Sequence, residues 1–252
     1  MKNIIIFLIS VFLLAGCAAS IDTANLSPED RLAYAMKLYQ DEDYEEAVKE
    51  FEAIVLQFPG NAVVDDAQYY LGMTRFQRKE YILSAYEFSK LINNMAGSDL
   101  LSQAQYQLAE CYYELSPDYS LDQKYTRKAI SEFQSFVDFF PTDARVKEAE
   151  SKIKELNNKL AYKEYSNAYI YERMEYYNAA LSYYNNVIDT YYDSQYAPMA
   201  MYNRINIFIN RDRDKEALAE INKFIERFPN DKNYSKVVEL KNSLEKQLSI
   251  NK

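Results

Sequence analysis

The chain has 252 residues, with 38 acidic and 29 basic side chains and a formal net charge of −9. This acidity argues against a nucleic-acid partner, because phosphates are bound by basic surfaces. The absence of His and the presence of only four Gly argue against catalytic imidazoles, His-based metal sites and Gly-rich phosphate loops. We therefore expect no enzyme activity, catalytic residue, cofactor-binding residue, metal site, nucleic-acid partner or small-molecule substrate.

The first segment of the chain is an apolar run from Ile4 to Gly16, preceded by Met1-Lys2. At 1.5 Å per residue a helix of this length covers about 20 Å, which is less than the roughly 30 Å hydrocarbon core of a bilayer. Residues 1–16 are therefore predicted to be a signal peptide and not a membrane-spanning helix.

The next residues, Leu14-Ala15-Gly16-Cys17, resemble the bacterial lipoprotein box, in which the signal peptide is cut before a lipid-modified Cys. The resemblance implies diacylglycerol and an N-acyl chain such as palmitate on Cys17, and a lipid-anchored tether over residues 17–27. Some lipoproteins have an Asp directly after the modified Cys, and this Asp prevents their delivery to the outer membrane. The chain has Ala18 at that position, which by the same sorting rule implies delivery to the outer membrane. The alternative is an ordinary secretory leader that happens to contain a Cys.

The second cysteine, Cys111, has no partner for an intrachain disulfide if Cys17 is acylated. It lies among apolar residues at helical spacing, between Glu110 and Glu114. A reactive thiol requires electropositive surroundings, and these neighbours are acidic. We therefore expect Cys111 to be a small core residue.

A repeated pattern follows the tether. Each unit has an Ala, a large apolar residue one turn later and, in the three clearest copies, a closing Phe-Pro pair. The marker alanines are Ala47, Ala85, Ala129, Ala180 and Ala217. An amphipathic segment with helical spacing precedes each of them. This pattern resembles the tetratricopeptide repeat (TPR), a helix–turn–helix unit of about 34 residues.

We predict an all-α TPR solenoid of about five helix–turn–helix units with a C-terminal capping helix and no sheet. The solenoid is predicted to cover residues 28–248, with repeats at roughly 28–60, 62–95, 99–141, 145–192 and 196–229 and the cap at 234–248. Residues 115–120 are predicted to form a loop. Between residues 145 and 173 there is no Gly or Pro, and one long helix is expected there. A plain helical bundle with accidental periodicity is the alternative.

Two segments carry a more specific resemblance: residues 122–133 and residues 156–179. Together with the lipoprotein box, the repeat number and the long central helix, they resemble BamD, the TPR lipoprotein of the outer-membrane β-barrel assembly machinery (Bam complex). The resemblance covers nearly the whole mature chain and is looser outside these segments. The chain departs from the family in a shorter third-repeat loop and in its richness in Tyr and Asn.

The BamD resemblance implies a non-enzymatic scaffold, lipid-anchored at the periplasmic face of the outer membrane. In that family the N-terminal repeats receive unfolded β-barrel outer-membrane proteins, and the C-terminal repeats dock on the periplasmic domains of the barrel insertase. These proteins are therefore the expected partners. An alternative is another TPR envelope lipoprotein or periplasmic adaptor, for instance one that links cell-wall or division machinery. A wall hydrolase is disfavoured, because the acidic residues follow the solvent-facing period of helices.

The first helix of each TPR unit lines the concave face of the solenoid, which makes its apolar side chains candidates for client binding. The candidate groove residues are Leu32, Met36, Tyr39, Tyr69, Met73, Phe76, Tyr106, Glu110 and Tyr113. Tyr and Met suit a surface that accepts varied apolar segments. Aromatic residues at helical spacing are usually core, so about half of this set is expected to be buried.

A Tyr-rich stretch marks the fourth unit. The candidate docking residues are Tyr169, Tyr171, Tyr176, Tyr177, Tyr183 and Tyr184. They are more rings than one helix pair is expected to bury, and Tyr is enriched at interface hot spots. We therefore expect the region around residues 160–248 to bind a protein partner, which the BamD resemblance implies to be the insertase.

Overall fold

The computed structural model describes residue 23 and residues 25–250. The predicted signal peptide, Cys17 and most of the predicted tether lie outside these residues. The described part contains eleven helices and no strand, which confirms the predicted all-α class. The helices are α1 (Pro28–Gln40), α2 (Tyr44–Gln57), α3 (Val64–Gln77), α4 (Tyr81–Asn94), α5 (Leu101–Glu114), α6 (Lys124–Phe139), α7 (Val146–Arg173), α8 (Tyr177–Thr190), α9 (Tyr196–Asn210), α10 (Asp214–Arg227) and α11 (Tyr234–Ile250).

The helices pack as five consecutive pairs, from α1/α2 to α9/α10, with α11 against the last pair. The first helices of neighbouring pairs also contact each other, α1 with α3, α3 with α5 and α7 with α9. In the part of the chain that the structure describes, no comparable contact joins the second helices. The array therefore curves toward the layer of first helices, as in a TPR solenoid.

Each second helix has a large, fully buried side chain with a small residue four positions before it. The large residues are Phe51, Phe88, Phe133, Tyr184 and Ile221, all fully buried. In the second repeat the small residue at this position is Ser84, so the marker assigned to Ala85 was one residue off. The Ser84 hydroxyl donates to the backbone oxygen of Gly72 at 2.8 Å, across the close approach of α3 and α4.

The turn inside four of the five pairs has three residues, and its central residue has a positive φ: Glu42, Lys79, Glu175 and Asp212. In the first of these turns the N–H of Glu42 donates to the Tyr39 oxygen and the N–H of Asp43 donates to the Leu38 oxygen. The same two bonds recur in the other three turns. They satisfy carbonyls at the helix end in the manner of a Schellman motif, which usually has Gly at this position.

The third pair replaces this turn with the predicted loop, here residues 115–123. Inside it, the Gln123 side-chain amide donates to the backbone oxygens of Asp118 and Leu121 at 2.7 and 3.0 Å. From outside, the Lys163 ammonium donates to the Leu121 oxygen at 2.7 Å and also reaches the oxygens of Tyr119 and Ser120. The loop is therefore fixed to the middle of α7.

The long helix predicted over residues 145–173 is confirmed as α7. Ala149 and Leu156 in its first half belong to the core of the third repeat, whereas Ala168 in its second half belongs to the C-terminal core. The backbone N–H of Gln195, immediately before α9, donates to the Asn158 side chain in the middle of α7 at 3.2 Å. Repeats 4 and 5 are therefore displaced along α7 relative to repeats 1–3.

A run of Tyr rings joins the two halves at the middle of α7. This junction ladder consists of Tyr119, Tyr162, Tyr196, Tyr165 and Tyr184, with consecutive ring centroids between 4.5 and 5.7 Å apart. Ring contacts at these distances stabilise beyond their buried area. Part of the Tyr enrichment of the chain is therefore structural.

Cys111 is fully buried and free, which confirms that it is a core residue. Its Sγ lies 3.1 Å from the Ser84 hydroxyl. Burial raises the pKa of the Cys111 thiol to about 12. The thiol is therefore protonated at physiological pH and has little nucleophilic character.

Candidate protein-binding surfaces

The predicted groove residues of the first two repeats are half-buried. One side of each packs against the core, and the other side remains open to solvent. These residues are Leu32, Met36 and Tyr39 on α1 and Tyr69, Met73 and Phe76 on α3. Because the core fixes their orientation, they form a largely preorganised apolar surface on the layer of first helices.

The rings in this region form a second continuous run, the groove ladder of Tyr39, Tyr70, Tyr69 and Phe88. The centroid distances along it are 5.6, 5.4 and 5.6 Å. Burial raises the pKa of both Tyr39 and Tyr69, so their hydroxyls are neutral at physiological pH. The ladder therefore offers ring faces, ring edges and neutral hydroxyl groups without introducing a charge.

The third repeat departs from the predicted groove, because α7 covers it. Tyr106 is only 6% exposed and packs against Phe133 and Phe136. The Arg145 guanidinium lies 4.9 Å from the Tyr106 ring centroid. The placement of Tyr106 in the open groove was therefore wrong, since its ring belongs to the core.

The other two predicted residues of this repeat are engaged by α7. Glu110 forms an ion pair with Lys152, and the Tyr113 hydroxyl donates to the two carboxylate oxygens of Glu155 at 2.9 and 3.0 Å. Burial, followed by the hydrogen bond and charge of Glu155, raises the pKa of Tyr113 to about 12. The groove wall of the third repeat is therefore polar.

Arg145 and Lys152 are residues of this wall that the sequence reasoning missed. Arg145 is oriented by Asp143, which accepts from its Nε at 2.9 Å and from its Nη2 at 2.6 Å. The Lys152 ammonium lies 4.9 Å from the Tyr113 ring centroid. Arg145 immediately precedes α7 and Lys152 lies in its second turn. Each is about forty positions away from the Tyr ring that it touches, and no local spacing in the sequence connects them.

The Tyr-rich stretch of the fourth repeat divides into core and surface. Tyr184 is fully buried, its hydroxyl donates to Glu172 at 2.6 Å, and it accepts from the Asn203 amide at 2.8 Å. Its assignment to the docking set was therefore wrong. Tyr171 and Tyr183 stack on each other with ring centroids 5.3 Å apart. Both side chains are half-exposed.

The exposed part of this region is a turn patch made of Tyr169, Ile170, Met174 and Tyr176, whose side chains are between 49% and 59% exposed. Ile170 and Met174 were not among the predicted residues, although their i, i+4 spacing places them on one helix face. Tyr176 also lines a groove of about 580 Å³. The other lining residues include Tyr171, Tyr177, Ile207, Arg211 and Arg213.

The Arg211 guanidinium lies 5.1 Å from the Tyr177 ring centroid, which gives this groove an apolar wall with a cationic rim. Among the residues that the structure describes, no cluster of His, Cys, Asp or Glu is arranged to hold a metal ion. No helix in the same residues is both long enough and apolar enough to cross a bilayer.

The family comparison covers both surfaces. The model of the YfiO family, described as outer membrane lipoprotein, matches residues 26–214, from the start of α1 to the start of α10. The chain belongs to this family of outer membrane lipoproteins. The match confirms the resemblance to BamD. The family and the TPR fold are both of a non-catalytic, protein-binding type. No curated protein sequence matches the chain.

Several solved TPR structures are similar to this one. A TPR repeats protein from Bacteroides fragilis is 12% identical, with a TM-score of 0.49 over 88% of this chain and 99% of that one. The TPR2AB-domain:pHSP90 complex of yeast Sti1 is 15% identical, with a TM-score of 0.44 over 88% and 84%. A tetratricopeptide repeat protein from Parabacteroides merdae is 12% identical, with a TM-score of 0.40 over 79% of each chain.

Proposed function

We propose that this protein is a non-enzymatic scaffold in outer-membrane β-barrel assembly. Lipid on Cys17 holds it at the periplasmic face of the outer membrane. The first two repeats bind unfolded barrel proteins, and the C-terminal repeats bind the barrel insertase. The observation that carries the proposal is the groove ladder, a half-exposed and core-supported aromatic surface in a member of an outer membrane lipoprotein family.

The groove ladder suits an extended client segment. Side chains of a β-strand alternate between two faces, so an unfolded barrel strand can direct its apolar side chains at the rings and its polar side chains at solvent. Binding should be around micromolar, or about −8 kcal/mol, because ordering the client opposes the contacts. Rings and thioethers carry these contacts, so added salt should weaken binding little.

The groove is tested with a double variant, Tyr39→Ala with Tyr69→Ala. We expect it to bind a peptide from the C-terminal strand of a barrel protein about tenfold more weakly, measured by fluorescence anisotropy. Tyr86→Ala is the matched control, because Tyr86 is 60% exposed on the second helix α4. Tyr106 is unsuitable for this test, since removing a core ring would also lower stability.

Two results would count against the groove assignment. One is unchanged peptide affinity in the double variant, with circular dichroism confirming that it is folded. The other is crosslinking of the peptide to repeats 4 and 5 in place of repeats 1 and 2.

The docking part of the proposal rests on the turn patch and the adjoining groove. Exposed apolar residues clustered in this way are typical of protein-interaction sites. Tyr169→Ala combined with Tyr176→Ala should abolish co-purification of the insertase from solubilised membranes. Tyr192→Ala, which changes an equally exposed ring elsewhere, should retain it. Equal retention by both variants would contradict the assignment.

The anchor is tested with Cys17→Ala. One acyl chain binds a membrane only marginally, whereas several chains on one residue hold a protein firmly. The variant should therefore move to the soluble fraction while remaining folded, and mass spectrometry of the parent should find the lipid on its N-terminal peptide. Membrane affinity purification separates the main proposal from its alternative, because a division or cell-wall adaptor would recover those proteins and not the insertase.

A further inference from the structure

One edge of repeats 1–3 gathers every connection between neighbouring repeats. Because helices of consecutive pairs alternate in direction, α1, α3, α5 and α7 all begin at this edge, and α2, α4 and α6 all end there. We call it the inter-repeat edge; it comprises the start of α1 and loops 58–63, 95–100 and 140–145. Repeats 4 and 5 are displaced along α7 and do not share it.

This edge carries the two most exposed large apolar side chains of the described residues, Leu56 at 79% and Phe139 at 75%. Both lie in the last turn of a second helix, α2 and α6 respectively. The adjoining loops add smaller exposed apolar residues: Pro59, Ala62, Ala96 and Pro141. Exposed apolar residues grouped at one end of a protein mark an interaction surface.

The charges of the two edges differ. On the opposite edge, every residue of the turns 41–43 and 78–80 is charged. The three inter-repeat loops contain only Asp99, Asp143 and Arg145 as charged residues, and the last two neutralise each other in an ion pair at 2.6 Å. The inter-repeat loops are therefore less costly to remove from water than the turns 41–43 and 78–80.

The position of the lipid-modified residue identifies what covers this edge. The Thr23 hydroxyl donates to the Glu50 carboxylate of α2 at 3.0 Å, so the segment before α1 is held to the first repeat at Thr23. Six positions separate Cys17 from Thr23, and a fully extended segment of that length spans about 20 Å. We propose that the inter-repeat edge of repeats 1–3 rests on the lipid surface in which Cys17 is anchored, with Leu56 and Phe139 at the boundary of headgroups and acyl chains. This inference depends on the proposed lipid at Cys17.

The contact should be apolar and not electrostatic. The first turns of α1 and α3 place Glu29, Asp30, Asp65 and Asp66 near the same edge, and these carboxylates do not favour anionic headgroups. Increasing the phosphatidylglycerol content of the membrane should therefore not strengthen the contact. An aromatic side chain such as Phe139 is suited to the interface between headgroups and acyl chains.

The chain contains no Trp, so a single introduced Trp reports its own surroundings. The full lipidated protein is reconstituted into vesicles of phosphatidylethanolamine and phosphatidylglycerol, with and without brominated acyl chains as quencher. Leu56→Trp and Phe139→Trp probe the edge. Ile82→Trp is the control, because Ile82 is also well exposed but begins α4 at the opposite edge.

We expect brominated lipid to quench Leu56→Trp and Phe139→Trp by about twofold or more and to leave Ile82→Trp unquenched. Equal quenching at the three positions, or none on vesicle-bound protein, overturns the proposal. If the purified parent protein carries no lipid on Cys17 and does not associate with the vesicles, both this inference and the proposed lipid anchor are wrong. Client-peptide binding by the same variants is measured in detergent, without vesicles. This second measurement tests the groove assignment independently of the membrane contact.

Discussion

The groove ladder and the junction ladder are built from the same kind of residue and have different surroundings. In the groove ladder, Tyr39 and Tyr69 pack on the core along one side and face solvent along the other. In the junction ladder, Tyr184 is fully buried and hydrogen-bonded to Glu172 and Asn203. The number of Tyr residues in a segment therefore does not distinguish a binding surface from a joint.

Basic side chains at the start of α7 account for part of this difference. Tyr69 and Tyr106 occupy the same position in α3 and α5, the sixth residue of each helix. Tyr69 remains half-exposed, whereas Tyr106 lies beneath Arg145, which immediately precedes α7, and beneath Lys152 of α7. Long basic side chains bury apolar surface with their stems while their charges stay hydrated. One helix thus closes the groove at the third repeat.

The largest expected effect separates these two uses of Tyr. Tyr184→Ala should lower the free energy of unfolding by about 3–5 kcal/mol, because it leaves a ring-sized cavity in the C-terminal core. Tyr169→Ala, in the turn patch, should change it by less than about 0.5 kcal/mol. Urea unfolding followed by circular dichroism measures both. Similar losses in the two variants would mean that the division into core and surface rings is incorrect.

A second change affects the support of the groove ladder. A Cβ added at Gly72 would lie 2.8 Å from the Phe88 ring, which in turn contacts Tyr69. Gly72→Ala should therefore cost about 1–3 kcal/mol of stability through overpacking, partly offset by the better helix propensity of Ala. It should also weaken peptide binding, because Phe88 cannot move without displacing Tyr69.

Gly97→Ala is the matched control for this change. A Cβ at Gly97 has no neighbour within 4 Å, so the same substitution should be neutral or stabilise by up to about 1 kcal/mol by restricting the unfolded chain. Urea midpoints and peptide affinities are compared for the two variants. Equal behaviour would show that close packing of α3 on α4 does not support the groove.

The sequence was sufficient to predict the helices, because their signal is local. Apolar residues at spacings of three and four indicated the pairs, and the absence of Gly and Pro indicated α7. The small residue at each helix crossing was harder, since Ser84 takes the role that the Ala pattern assigned to Ala85. Its hydroxyl is satisfied by the Gly72 oxygen, a partner that only the packed structure provides.

The candidate sites were predicted less well, because exposure depends on distant neighbours. The helical spacing of apolar residues places Tyr106 and Tyr184 on the apolar faces of their helices. It does not indicate that neighbouring helices bury both rings. The turn residues with positive φ also have no sequence signal here. Gly usually occupies this position, and none of Glu42, Lys79, Glu175 or Asp212 is Gly.

The smallest expected effect is a change of stability at these turns. The turns have the same backbone geometry in repeats 1 and 2 and in repeats 4 and 5, so they allow the two halves of the solenoid to be compared. Glu42 in the first repeat and Glu175 in the fourth have φ values of 61° and 62°. A residue with a Cβ in this region costs about 1–2 kcal/mol, whereas Gly costs about 0.5–1 kcal/mol of additional unfolded-chain entropy. Glu42→Gly and Glu175→Gly should therefore each raise the free energy of unfolding by about 0.5–1 kcal/mol.

Ala33→Gly controls for the general effect of Gly, because Ala33 is exposed in the middle of α1, in the same repeat as Glu42. It should lower stability by about 1 kcal/mol, since Gly is a poor helix former. The two turn variants and this control therefore change stability in opposite directions, which urea unfolding resolves. A gain at Glu42 without one at Glu175 would mean that the two halves unfold separately, with only the N-terminal transition being observed. Loss of stability in both turn variants would contradict the strain argument, because identical backbone geometry should respond identically wherever it occurs in the solenoid.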